Sequence, residues 1–178
     1  MKHFGSRAAG TDERSVPSPA HDTGVLLFRL AVGLTMAAHG AQKLFGWFSG
    51  GGVKFWGQFF ASVGYPSGRT MAVVAGLSEL LGGLGLALGL LTPLAGAAVV
   101  GTMANAISVK WGGAFFAPKG VEYELVLAAG AAALALSGPG SFAIDRYLPG
   151  VRSHRLGYGI AALAVGALAA AITLLVRN

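Results

Sequence analysis

The chain contains no cysteine. That excludes disulfides, thiolate redox chemistry, cysteine-ligated iron–sulfur clusters and cysteine-type zinc sites. Charge is also scarce: 11% of the 178 residues are charged, against about 25% in a typical soluble domain. So little charge leaves a globule of this size without the polar surface that water requires. Lysine and arginine are never concentrated in one run, so the net charge of +6 points to anionic lipid head groups rather than to nucleic acid. The sequence has no Walker loop, HExxH, GxSxG or dinucleotide fingerprint in strand context. Only His39 among the histidines falls in an apolar run, so a haem with two histidine ligands is not expected. The acidic residues form no calcium loop, and no metal site is expected.

What the chain does have is apolar length. Hydrophobic residues make up 54%, and the 29 glycines suit close helix packing in a bilayer. Residues 1–22 are polar, mixed in charge and lack the apolar core of a signal peptide, so a disordered tail is expected there. Five apolar segments follow, at about 23–46, 70–91, 94–109, 121–137 and 156–176. The first, second and fifth approach the roughly 20 residues that cross a bilayer; the other two are nearer about 16. No period-2 alternation appears, so helices are favoured over barrel strands. The expected fold is an all-α membrane protein: a four-helix transmembrane bundle over 23–148, then a linker and an additional C-terminal transmembrane helix over 149–178. That last helix is expected to stay peripheral and to contribute nothing to a polar cavity in the bundle. Between the first two segments, Phe55, Trp56, Phe59, Phe60 and Val63 recur at helical spacing, which predicts a short amphipathic helix in the interfacial segment 47–69. Trp47, Trp56, Tyr65 and Trp111 are expected to form an aromatic belt on the same side. Lysine and arginine are slightly denser on the opposite side, around Arg146–Arg155, which favours a cytoplasmic N-terminus in the cell membrane.

Polar residues inside apolar runs carry the functional reading. At about 1.5 Å rise per residue, Lys43 lies about 5 Å and His39 about 10 Å below the end of the first segment. Glu79 lies about 14 Å down the second, and Asn105 about 6 Å from the end of the third. Glu122 opens the fourth near the same surface. Side chains lean toward their own helix N-terminus, so Lys43 and Glu79 on antiparallel helices lean toward each other. A polar cluster of His39, Lys43, Glu79, Asn105 and Glu122 is the candidate site. Plainer readings stand beside it. Lys43 alone snorkels to head groups, His39 alone is a packing residue, and Asn105 is interhelical glue. Glu79 resists such dismissal, because carboxylates at that depth are rare. Arg29 belongs to the other half of the bilayer, where it either snorkels or bonds backbone carbonyls. Gly85 and Gly89 form a GxxxG, read as a packing face.

Four stretches in order, LLFRLAVGLTMAAHGAQKLFG, FFASVGYP, GLSELLGGLGLALGLLTPLAG and GVEYELVLAAGAAALALSGPGSFAIDRYL, resemble the DoxX family of small four-helix membrane proteins. The distinctive elements are the HG-x-x-K turn, the glutamate before GG and the G-x-G-x-x-x-x-D ending. The family is named for a subunit of a thiosulfate:quinone oxidoreductase. The resemblance implies a non-autonomous, quinone-associated oxidoreductase subunit, with a quinone as cofactor, no covalently bound group, and a redox-enzyme partner in the bilayer. On that reading His39 and Lys43 donate to the quinone oxygens and Glu79 relays protons. A homo-oligomer is also compatible. The alternatives are a small-solute transporter or permeation pathway, and a non-catalytic assembly subunit. The long N-terminal tail and the fifth segment depart from the family pattern.

Overall fold

The computed structural model describes residues 18–116, 118–149 and 154–177. Among these residues six α-helices run in order: α1 (Pro19–Phe45), α2 (Gly52–Ser62), α3 (Gly68–Leu88), α4 (Thr92–Lys110), α5 (Glu122–Ser137) and α6 (Leu156–Leu175), with a one-turn 3₁₀ helix at Ile144–Tyr147. No strand occurs among the described residues. Four helices, α1, α3, α4 and α6, are long and apolar enough to cross a membrane. At 16 residues, α5 is about 24 Å long, shorter than the roughly 30 Å hydrocarbon core. It packs in the same bundle against α4 and α6. The chain is thus an all-α membrane protein with an extra C-terminal helix.

Helix α1 begins earlier than composition suggests. Ser18 caps it, its Oγ accepting from the His21 backbone N–H at 3.2 Å, and Pro19 occupies the first turn. A serine cap followed by proline is a strong start signal. It draws residues 19–22 out of the expected tail, whose first 17 residues lie outside the described ones. The helix stops at Gly46, which adopts φ 73° and returns its N–H to the Gln42 carbonyl. A left-handed residue there closes the last turn.

Helices α1 and α3 form the closest seam. Gly33 and Gly40 on α1 face Gly83 and Gly76 on α3, each pair of glycines seven residues apart. A Cβ at Gly40 would meet the Gly76 carbonyl at 2.6 Å, and one at Gly33 the Gly83 carbonyl at 2.6 Å. Backbone therefore lies on backbone, and only glycine permits that distance. The expected Gly85–Gly89 packing face does not form. Gly85 faces Ala95 of α4, whereas Gly89 ends α3 at φ 65° against Ala143 and Arg29. The four-residue spacing fails as a face because Gly89 is already past the helix.

The helices alternate in direction. Lys110 at the end of α4 meets Glu124 at the start of α5, His154 before α6 meets the Leu136 carbonyl near the end of α5, and Arg177 after α6 bonds the Val63 carbonyl beside α2. One end of the bundle thus carries α2, and the other carries the start of α1. At that second end the segment 138–148 folds into the bundle. Arg29, 1% exposed, donates to the carbonyls of Phe142 (2.6 Å), Ala87 (3.3 Å) and Pro139. Of the two readings for Arg29, carbonyl bonding is therefore the one realised. Asp145 accepts from the backbone N–H groups of Leu91 and Thr92 and from the Thr92 hydroxyl, capping α4. Asp22 accepts from the Ser141 N–H at 2.9 Å.

Helix α6 is peripheral in exposure but not in role. Its buried face is Gly159, Ala162, Gly166 and Ala170, which seats it on α5 through Gly159 and on α4 through Gly166. The linker residues 150–153 lie outside the described residues.

Candidate functional site

Toward the α2 end, side chains from all six helices line a half-open cavity of about 480 Å³. Its walls are largely apolar or aromatic, among them Phe60, Met71, Ala98, Val109 and Leu127. Among the predicted residues, His39, Lys43, Glu79 and Asn105 line it together.

The i,i+4 pair His39 and Lys43 reaches the cavity on one face of α1. Lys43 is 7% and Glu79 3% exposed, and Lys43 Nζ sits 2.6 Å from Glu79 Oε2. The same ammonium lies 4.4 Å from the centroid of Trp56, a cation–π contact. Lys43 therefore does not snorkel to head groups. Charge in a low-dielectric interior is tolerated when paired in this way. Gln42 serves the following turn instead, donating to the Phe48 carbonyl at 3.3 Å.

Helix α5 supplies a second polar pole. His39 Nε2 lies 2.9 Å from the Tyr123 hydroxyl, with the two rings edge to face. Lys110 Nζ lies 2.6 Å from Glu124 Oε1. Glu122, the predicted member, is half-buried and does not line the cavity; Glu124 does. Two residues along a helix turn the side chain by roughly 200°, so the two glutamates cannot share the wall. A signal for Glu124 was present: it begins the buried stripe Glu124, Leu127, Ala131, Leu134, which has helical spacing.

Asn105 knits the wall. Its Oδ1 accepts from the Tyr65 hydroxyl at 2.8 Å, with Thr173 Oγ1 of α6 at 2.9 Å, and its Nδ2 donates to the Gly101 carbonyl at 3.0 Å. Thr173, Gly166, Ala169 and Ala170 all line the cavity, which corrects the expectation that the C-terminal helix contributes nothing there. The aromatic belt is divided in the same way. Trp47 and Trp111 are exposed, while Tyr65 is buried and Trp56 turns in over Lys43, its indole N–H donating to the Gly50 carbonyl at 2.7 Å. Arg29 lies about 20 Å along α1 from Lys43 and, with Gly85 and Gly89, takes no part in the cavity lining.

Two comparisons with known proteins bear on this geometry. The DoxX family profile matches residues 24–117. A Bacillus subtilis (strain 168) protein described as "Putative oxidoreductase CatD" is 33% identical over 128 residues, 71% of this chain and 88% of that protein. No solved structure matches. The family match takes in the whole α1–α3 seam and the Lys43–Glu79 pair, and the chain belongs to the DoxX family.

Proposed function

We propose that the protein is a quinone-associated subunit of a membrane oxidoreductase, in which the cavity holds the quinone ring and a partner enzyme supplies the electrons. The carrying observation is the cavity itself: about 480 Å³, aromatic and apolar in its walls, with buried polar groups at its edge. That volume falls within the roughly 300–1,000 Å³ of small-molecule sites, which pair apolar walls with a few placed polar groups. The name printed for the Bacillus subtilis relative is consistent with redox work. A bound quinone supplies two-electron carrier chemistry. The chain's own residues stack on the ring through Trp56 and Phe60, present the Lys43 ammonium and the His39–Tyr123 pair as donors, and place the Glu79 carboxylate where it accepts and passes on a proton. No electron-carrying motif is encoded in the sequence, which is why a partner is part of the reading. We place the protein in the plasma membrane with the start of α1 on the cytoplasmic side, a reading supported by the basic residues Arg146 and Arg155 near that end.

The test uses purified protein carrying Trp47→Phe and Trp111→Phe, so that Trp56 is the sole indole. A short-chain quinone should quench its fluorescence saturably in the micromolar range, and Glu79→Leu should abolish the saturable part. Quenching that only rises linearly with quinone would overturn the proposal. Partner-free flux of a small solute through liposomes, sensitive to Glu79, would replace it with a permeation role.

A further inference from the structure

The two poles of the cavity differ in what they leave unsatisfied. Lys43 bonds Glu79 Oε2, and neither of those two side chains leaves a fully buried polar atom without a partner. Glu124 is 7% exposed and lines the cavity, yet only its Oε1 has a partner, the Lys110 ammonium. Its Oε2 is buried and has no hydrogen-bond partner among the described residues. Lys110 does not turn inward to serve it: the side chain is 37% exposed and also reaches toward the Gly120 carbonyl at 3.5 Å. A buried acceptor left without a donor is costly, and a carboxylate oxygen gains most from a hydroxyl or N–H donor.

The missing partner is a donor, and a quinone has none: both of its oxygens are acceptors. Its reduced form carries two phenolic hydroxyls. We propose that the cavity selects the hydroquinone over the quinone, with Glu124 Oε2 accepting a ring hydroxyl. This rests on the quinone reading of the same cavity and assigns Glu124 as the residue that distinguishes the two redox forms. Lys110 holds the other oxygen and so fixes which oxygen meets the ligand.

Titration calorimetry of the full-length protein in detergent, under anaerobic conditions, tests this with four probes: a short-chain quinone, its hydroquinone, and the mono- and dimethyl ethers of that hydroquinone. Wild-type protein should bind the hydroquinone roughly tenfold or more tightly than the quinone, the gain of one charge-assisted hydrogen bond. The dimethyl ether should fall to the quinone's affinity and the monomethyl ether should lie closer to the hydroquinone. In Glu124→Gln, Lys110 keeps the amide oxygen and the NH₂ group replaces Oε2, so the preference should vanish or reverse. Equal binding of quinone and hydroquinone by the wild type would overturn the assignment while leaving the quinone site standing. A preference that survives Glu124→Gln would overturn it as well. Binding of none of the four probes would remove the quinone reading and this one together. The ether series needs no variant, so the outcome does not depend on how well Glu124→Gln folds.

Discussion

At the residue scale, the Lys43–Glu79 pair makes the sharpest prediction. Both groups are buried and 2.6 Å apart. Removing one leaves the other as an uncompensated charge, which costs about 3–5 kcal/mol in an enclosed pair. Glu79→Leu should therefore lower thermal stability in detergent more than Glu79→Leu combined with Lys43→Leu. Additive effects in the double-mutant cycle would show that the pair is not coupled. Arg29 is expected to matter equally for a different reason. Its guanidinium holds three carbonyls that no other side chain among the described residues reaches. Arg29→Met should destabilise by about 2–4 kcal/mol without changing ligand affinity at the far end of the bundle. Unchanged melting of that variant would argue against the segment 138–148 being locked by it. Lys43 and Glu79 were legible in the sequence because depth and lean are properties of single helices. Glu124 was misjudged in favour of its neighbour Glu122, since the choice depends on which face of α5 meets the bundle.

At the element scale, glycine spacing decides which helices touch. Gly40→Val would drive Cβ and both methyls into the α3 backbone, at a cost of about 1–3 kcal/mol or more for overpacking. The variant should melt earlier and lose quinone quenching, because α1 carries half of the ion pair. Helix α6 gives a second test. A Cβ at Gly166 would meet the Ala97 carbonyl at 2.5 Å, so Gly166→Leu should push α6 off α4 and open the cavity wall. Ligand binding should weaken in that variant and in a chain stopped after Arg155. If binding to the shortened chain is unaltered, α6 is dispensable to the site. The heptad spacing of Gly33–Gly40 and of Gly76–Gly83 was readable in the sequence, but so was Gly85–Gly89. Only the end of α3 at Gly89 separates the working pairs from the idle one.

At the scale of the whole molecule, alternating helices carry α1 and α6 from one membrane face to the other. Cysteines introduced singly at Ser18 and Lys119 should therefore report opposite faces, with no native thiol to confuse the result. In intact cells, a membrane-impermeant thiol reagent should modify the cysteine at 119 and spare the one at 18. The reverse pattern would invert the orientation, and equal labelling of both would contradict the alternation.

Composition and periodicity by themselves determined the class of this protein. Fifty-four per cent apolar residues with 11% charge leave no route to a water-soluble core, and each helix announces itself through local spacing, caps and glycines. The depth of a charged residue also follows from the sequence, since the rise per residue is constant. What a single helix does not contain is its rotation against its neighbours. That rotation brings Glu124 rather than Glu122 to the cavity, turns Trp56 and Tyr65 inward while Trp47 and Trp111 stay outside, and sets Thr173 of α6 against Asn105. The rotation is decided by backbone-to-backbone contact at glycines on different helices, and it exists only once the bundle has packed.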